Sequence, residues 1–99
     1  MYFVPFEVET YVPITQTTIM SSAWEKWTIS SKSEIARLST LLNRGEDDKF
    51  DRNRVRGLVL INKQTYFIDS NGVALMRKAS VRIDRDQFGS FRDLLRANE

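Results

Sequence analysis

Two stretches of the chain repeat apolar residues every three or four positions, while the segments around them alternate or run apolar as strands do. In the first, Ile35, Leu38, Leu41 and Leu42 share one stripe. Ser31, with Glu34 three residues on, has capping-box spacing, which satisfies two otherwise orphaned backbone donors. Gly45 is a natural stop, so a helix is predicted over residues 32–44. In the second, Phe88, Phe91, Leu94 and Leu95 form the stripe, and Arg85, Asp86, Arg92, Asp93 and Arg96 fall on the wet side. Asp84 is its cap, Gln87 stands at the capping-box position, and Ile83 and Phe88 have the spacing of a hydrophobic staple. Gly89 costs this helix about 1 kcal/mol relative to Ala without overturning it.

Residues 6–12 alternate apolar and polar side chains between Pro5 and Pro13, which predicts an edge strand with one wet face. Shorter β-prone pieces lie at residues 17–20 and 28–30. From Arg54 to Asn62 the chain is nearly continuously apolar, as in a buried strand. Lys63 and Gln64 close a hairpin into residues 65–69, and Asn71-Gly72 is the strongest hairpin signal of the sequence. The returning strand covers residues 73–78 and extends towards Ile83. The fold expected is α+β: one domain over residues 1–99, with an antiparallel sheet and two amphipathic helices packed on one face. Strands 55–61, 65–70 and 73–82 make its three-stranded C-terminal meander, and N-terminal strands complete the sheet.

Composition narrows the chemistry. The 99 residues include no cysteine and no histidine. Disulfides, thiolate nucleophiles, cysteine-ligated zinc and Ser–His or Cys–His hydrolysis are thereby excluded, and the expectation is a protein that is not an enzyme and holds no cofactor or metal. With 41% hydrophobic and 28% charged residues, the chain reads as an ordinary globular protein. Its start lacks a basic segment, and Glu7 and Glu9 interrupt the apolar run, so a cytoplasmic location is expected. No stretch approaches the roughly 20 apolar residues of a membrane span, and no membrane partner is expected.

Fifteen basic and thirteen acidic side chains leave a net charge of +2, unevenly spread. Residues 1–43 hold three basic and four acidic groups, net −1; residues 44–99 hold twelve and nine, net +3. Glu46, Asp47 and Asp48, with Asp51 behind them, form the densest acidic run, either a solvated loop or a docking surface. It lacks the alternate spacing and central Gly of an EF-hand loop. Arg52-Asn53-Arg54-Val55-Arg56 follows, and on a regular strand Arg54 and Arg56 share the face opposite Val55, where they can hold phosphates in a patch that Lys63, Arg77, Lys78, Arg82 and Arg85 would widen. Asp69, Asp84 and Asp86 are explained by a turn, a cap and a helix first turn, which leaves no carboxylate demanding a catalytic role. Of Trp24 and Trp27, one is expected in the core and the other partly exposed, where an indole anchors an interface.

A capped helix, a polar loop with one Phe, the strand at Val55-Arg56-Gly57, the hairpin Tyr66-Phe67-Ile68-Asp69-Ser70-Asn71-Gly72-Val73 and a capped terminal helix together resemble small bacterial immunity proteins. These are encoded beside polymorphic toxins, including those of contact-dependent growth inhibition. The likeness covers residues 28–97 and is one of layout. It implies a cytoplasmic protein that binds and neutralises one cognate toxin domain, and it carries over no binding residues. The surface expected from the residues themselves comprises Glu46, Asp47, Asp48, Asp51, Arg52, Arg54 and Trp24. Inhibitors of basic nucleases are often strongly acidic; this chain is slightly basic, so its toxin need not be a nuclease. The alternative is a nucleic-acid-binding regulator, since Phe50-Asp51-Arg52-Asn53-Arg54 before a buried strand resembles the sheet-based DNA-binding domain of LytTR-type response regulators. Oligomeric state is left open.

Overall fold

In the computed structural model, which describes residues 1–4, 6, 13–23, 25–29, 31–43, 45–61, 63–77 and 79–97, the chain alternates short strands with helices. The elements are β1 (Tyr2–Phe3), α1 (Ile19–Ser22), β2 (Glu25–Lys26), α2 (Lys32–Asn43), β3 (Val55–Ile61), β4 (Gln64–Asp69), β5 (Val73–Met76), β6 (Ala79–Arg82) and α3 (Arg85–Ala97). The strands form one sheet in the order β2-β1-β3-β4-β5-β6, and every neighbouring pair is antiparallel. The α+β class read from the sequence is thus the class of the fold.

Both long helices lie on one face. Leu38, Leu41 and Leu42 of α2 and Phe88, Phe91 and Leu95 of α3 meet Phe3, Val59, Ile61, Tyr66, Ile68 and Ala74 of the sheet in the larger core. Asp84 caps α3 as its spacing predicts, with Oδ1 accepting the N–H groups of Asp86 and Gln87 at 3.0 Å each. Ile83 and Phe88 are both buried in that core, as a staple requires. The cap of α2 is looser, with 3.5 Å between Glu34 N and Ser31 Oγ. Cations of the helices cover the aromatic rings: Arg85 lies 4.8 Å from the Phe6 centroid and Arg92 5.1 Å from that of Phe3. The opposite face has a smaller core of Val4, Ile14, Ile19, Val55 and Leu58, with Tyr2, Phe50 and Phe67 packed against it.

Several expected elements differ. Residues 17–20 are not a strand, because Thr15, Thr17 and Thr18 hydrogen-bond locally and Ile19 N donates to Thr15 O, which starts α1 and drives Ile19 into the smaller core. The strand expected at residues 28–30 lies earlier, at β2; Thr28 and Ile29 are irregular, and Ser30 is outside the described residues. The predicted edge strand at 6–12 also falls outside them, apart from Phe6, a turn residue. The meander has four strands, not three: residues 73–82 fold back at Arg77, whose φ of 55° ends β5, and Met76 pairs with Ala79. At Asn71-Gly72 only Gly72, with φ of 79°, is left-handed, and the loop spans residues 70–72.

Two glycines set opposite expectations. Gly45 has φ of 133°, and a Cβ there would stand 1.9 Å from the Arg82 carbonyl oxygen. A Cβ on Gly89 would meet nothing within 4 Å. Gly45→Ala should therefore cost at least about 2 kcal/mol, and Gly89→Ala should add about 0.5–1 kcal/mol through helix propensity, both measurable by urea denaturation.

Candidate binding surface

The loop ahead of β3 is fixed by a carboxylate that solvent does not reach. Asp69 ends β4 with 0% exposure. Its Oδ2 accepts the Asp51 N–H at 2.8 Å, and its Oδ1 accepts those of Asn71 and Val73 at 2.9 Å each. One side chain thus closes the β4–β5 turn and ties residues 49–53 to it. Within the loop, Asp51 Oδ1 accepts the Asn53 N–H at 3.0 Å, and Phe50 turns into the smaller core. Ser70 N donates to Arg54 O, so both sides of the junction are hydrogen-bonded.

The acidic run is divided by this arrangement. Residues 46–48 lie along the outer edge of β6 as a short antiparallel strap, with Arg82 N donating to Glu46 O, Asp48 N to Ser80 O, and Asp47 bridged to Val81. Ser80 Oγ donates to the Asp48 carbonyl, and the Arg82 guanidinium pairs with the Asp48 carboxylate. The strap covers an edge that would otherwise offer unpaired backbone groups to another strand. The backbone N–H of Lys49, joined by the Arg82 guanidinium, holds the Asp48 carboxyl below its ordinary pKa of 3.8.

Beyond the strap the chain turns towards the sheet face that the long helices leave free. Past α1 this face carries two open hollows, of about 870 Å³ and 320 Å³, which share Leu75 in their lining and together are called the trough. Phe67 and Leu75 are cross-strand partners and make its half-buried apolar floor. Lys49 and Arg52 stand at the end formed by residues 49–53. Lys63 and Arg77 stand at the other, because the β3–β4 and β5–β6 hairpins turn at the same end of an antiparallel sheet.

The residues expected to form one surface therefore separate. Asp51 and Arg52 line the trough, and Arg54 stays exposed beside them with Nε 3.9 Å from Asp51 Oδ2. Glu46, Asp47 and Asp48 belong to the β6 strap. Trp24 lies outside the described residues, and Trp27 is half-buried against the larger core. Arg54 and Arg56 do not share a wet face. A bulge between Val55 and Gly57 breaks the alternation, and Arg56 is buried at 4% exposure with Nη1 on the Val55 carbonyl. Phe67 and Leu75 were not singled out from the sequence, and Lys63 and Arg77 were read only as cations widening a patch around Arg54 and Arg56. The alternation in residues 65–69 puts Phe67 opposite Tyr66 and Ile68, but nothing in it tells that this second face stays open.

Two outcomes test this account. Asp69→Ala leaves one buried and two part-buried N–H groups without their acceptor and should cost about 2–4 kcal/mol; Asp69→Asn turns an amide donor at one of them, and with Oδ1 kept on Asn71 and Val73 hydrogen exchange should accelerate most at Asp51. Ionised Asp48 favours the fold above pH 3.8, and that contribution is lost as pH falls through its lower folded value. The gap in melting temperature between wild type and Asp48→Asn should accordingly narrow on acidification.

The chain matches no family model, no curated protein and no solved structure.

Proposed function

We propose that this chain is a binding protein of the immunity type, which neutralises a cognate bacterial toxin domain in the cytoplasm by protein–protein contact and without chemistry of its own. The observation that carries this reading is the trough: an apolar floor of Phe67 and Leu75, a charged rim, and walls fixed in advance by Asp69 and by hairpin turns. Fixed walls reduce the ordering cost of association. A central apolar patch inside a polar rim is the anatomy of a protein interface, where a few anchors hold most of the energy. The carboxylates that drew a catalytic reading have other work, Asp84 as a helix cap and Asp69 saturated by main-chain donors.

The four cations around the trough favour a second reading, a nucleic-acid-binding regulator. Fluorescence polarisation with mixed DNA and RNA at about 50–100 mM salt, where phosphate contacts remain strong, addresses it directly. The primary reading is tested by co-expression with a toxin domain encoded beside this chain. Protection of the cells and co-purification of the pair are expected, and a toxin that kills regardless ends the proposal. Leu75→Asp, which puts a charge on the trough floor, should weaken the complex by at least about 30-fold, as loss of a central anchor does.

A further inference from the structure

We infer that the trough takes an acidic polypeptide segment carrying one apolar side chain, which seats on Phe67 and Leu75 while its carboxylates meet cations at both ends. This rests on the reading of the chain as a protein-binding module and names the chemistry of the partner. Lys49 and Arg52 rim one end and Lys63 and Arg77 the other. Among the described residues none of the four takes part in an ion pair. Asp51 is the lone carboxylate among the described lining residues, and it is engaged by the Asn53 N–H and by Arg54. Of the other acids nearby, Asp69 is buried with its oxygens on main-chain N–H groups, and Asp48 pairs with Arg82 on the far side of β6. The trough is therefore locally cationic on a chain whose net charge is only +2.

The turn residues add a second argument. Lys63 and Arg77 have φ of 65° and 55°, conformations in which Gly or Asn is the comfortable occupant. Both positions hold a long cation instead, and both cations line the same trough. Backbone strain of this kind concentrates where a side chain serves a partner. A polypeptide fits better than a nucleic acid, because the cations sit at two ends of an apolar floor and do not track a backbone. The trough's two lining rings, moreover, belong to different parts of it, Phe50 to the end formed by residues 49–53 and Phe67 to the floor beside Leu75, where a single-stranded binder presents rings in series.

The same turns supply a test that spares the fold. Lys63→Asn and Arg77→Gly remove both charges and suit left-handed backbone, so the double variant should melt no lower than wild type. The probes are a fluorescein-labelled acidic peptide with a central phenylalanine, the same peptide with glycine there, and a short oligothymidylate. Wild type should bind the first with a Kd on the order of tens of micromolar, weakening at least tenfold between about 50 and 300 mM salt. It should bind the glycine peptide several-fold less tightly, and the double variant should bind the first peptide at least tenfold less tightly. An equal or tighter grip on oligothymidylate, no binding of the acidic peptide, or an unchanged affinity in the double variant would each overturn the inference. A toxin that co-purifies equally with the double variant leaves the neutralising role intact and moves its interface elsewhere. Peptide binding without protection from any neighbouring toxin does the reverse.

Discussion

A buried carboxylate is tolerated in a small domain only where its lone pairs are filled, and the arrangement around Asp69 follows from that demand. Its three hydrogen-bond donors among the described residues are all main-chain N–H groups, from Asp51, Asn71 and Val73. Main-chain donors cannot swing away as a lysine can, so meeting the demand fixes backbone. The β4–β5 turn, the start of β5 and the loop before β3 are thereby held to one point. From that point residue 50 enters the smaller core and Arg52 reaches the open face. Asp69 stabilises the fold and positions the trough by the same three contacts.

The sheet has two faces and the chain has material to cover one of them well. Both amphipathic helices go to the larger core, where Phe3, Phe88 and Phe91 are fully buried. The other face receives α1, only four residues long, together with Val4, Ile14 and Phe50. A domain of this size buries only about 60–65% of the surface its unfolded chain exposes. The incomplete second layer is where that shortfall appears, as a trough beside the smaller core.

What the sequence made legible follows the range of the interactions involved. The two helices were readable because caps and stripes are written within a turn or two: Asp84 meets its N–H groups two and three residues away. The fold-back at Arg77 was hidden because neither Gly nor Asn marks it; pairing of Met76 with Ala79 and Val73 with Arg82 outweighs the local cost of a left-handed arginine. Residues 17–20 misled in the other direction. Their β-branched side chains suit a strand, yet the threonine hydroxyls find nearer partners than a ladder would provide. The acidic run looked like one feature because its charges are contiguous. Its division at Asp48 depends on Ser80 and Arg82, more than thirty residues away, and no local pattern carries such a contact.

The same long-range pairing changes what net charge means for this chain. A sum of +2 is near neutral and argues for no partner. Antiparallel meandering, however, brings the turns at Lys63 and Arg77 to one end of the trough, and the Asp69 clamp brings Lys49 and Arg52 to the other. The β6 edge meanwhile removes Glu46, Asp47 and Asp48 to its outer side. Fields at a surface fall off within a Debye length of about 8 Å in physiological salt, so an approaching partner responds to this local sorting and not to the sum. A slightly basic chain can thus present a locally cationic face backed by an acidic edge. The acids stay where they serve the sheet, and among the described residues the four cations around the trough take part in no ion pair.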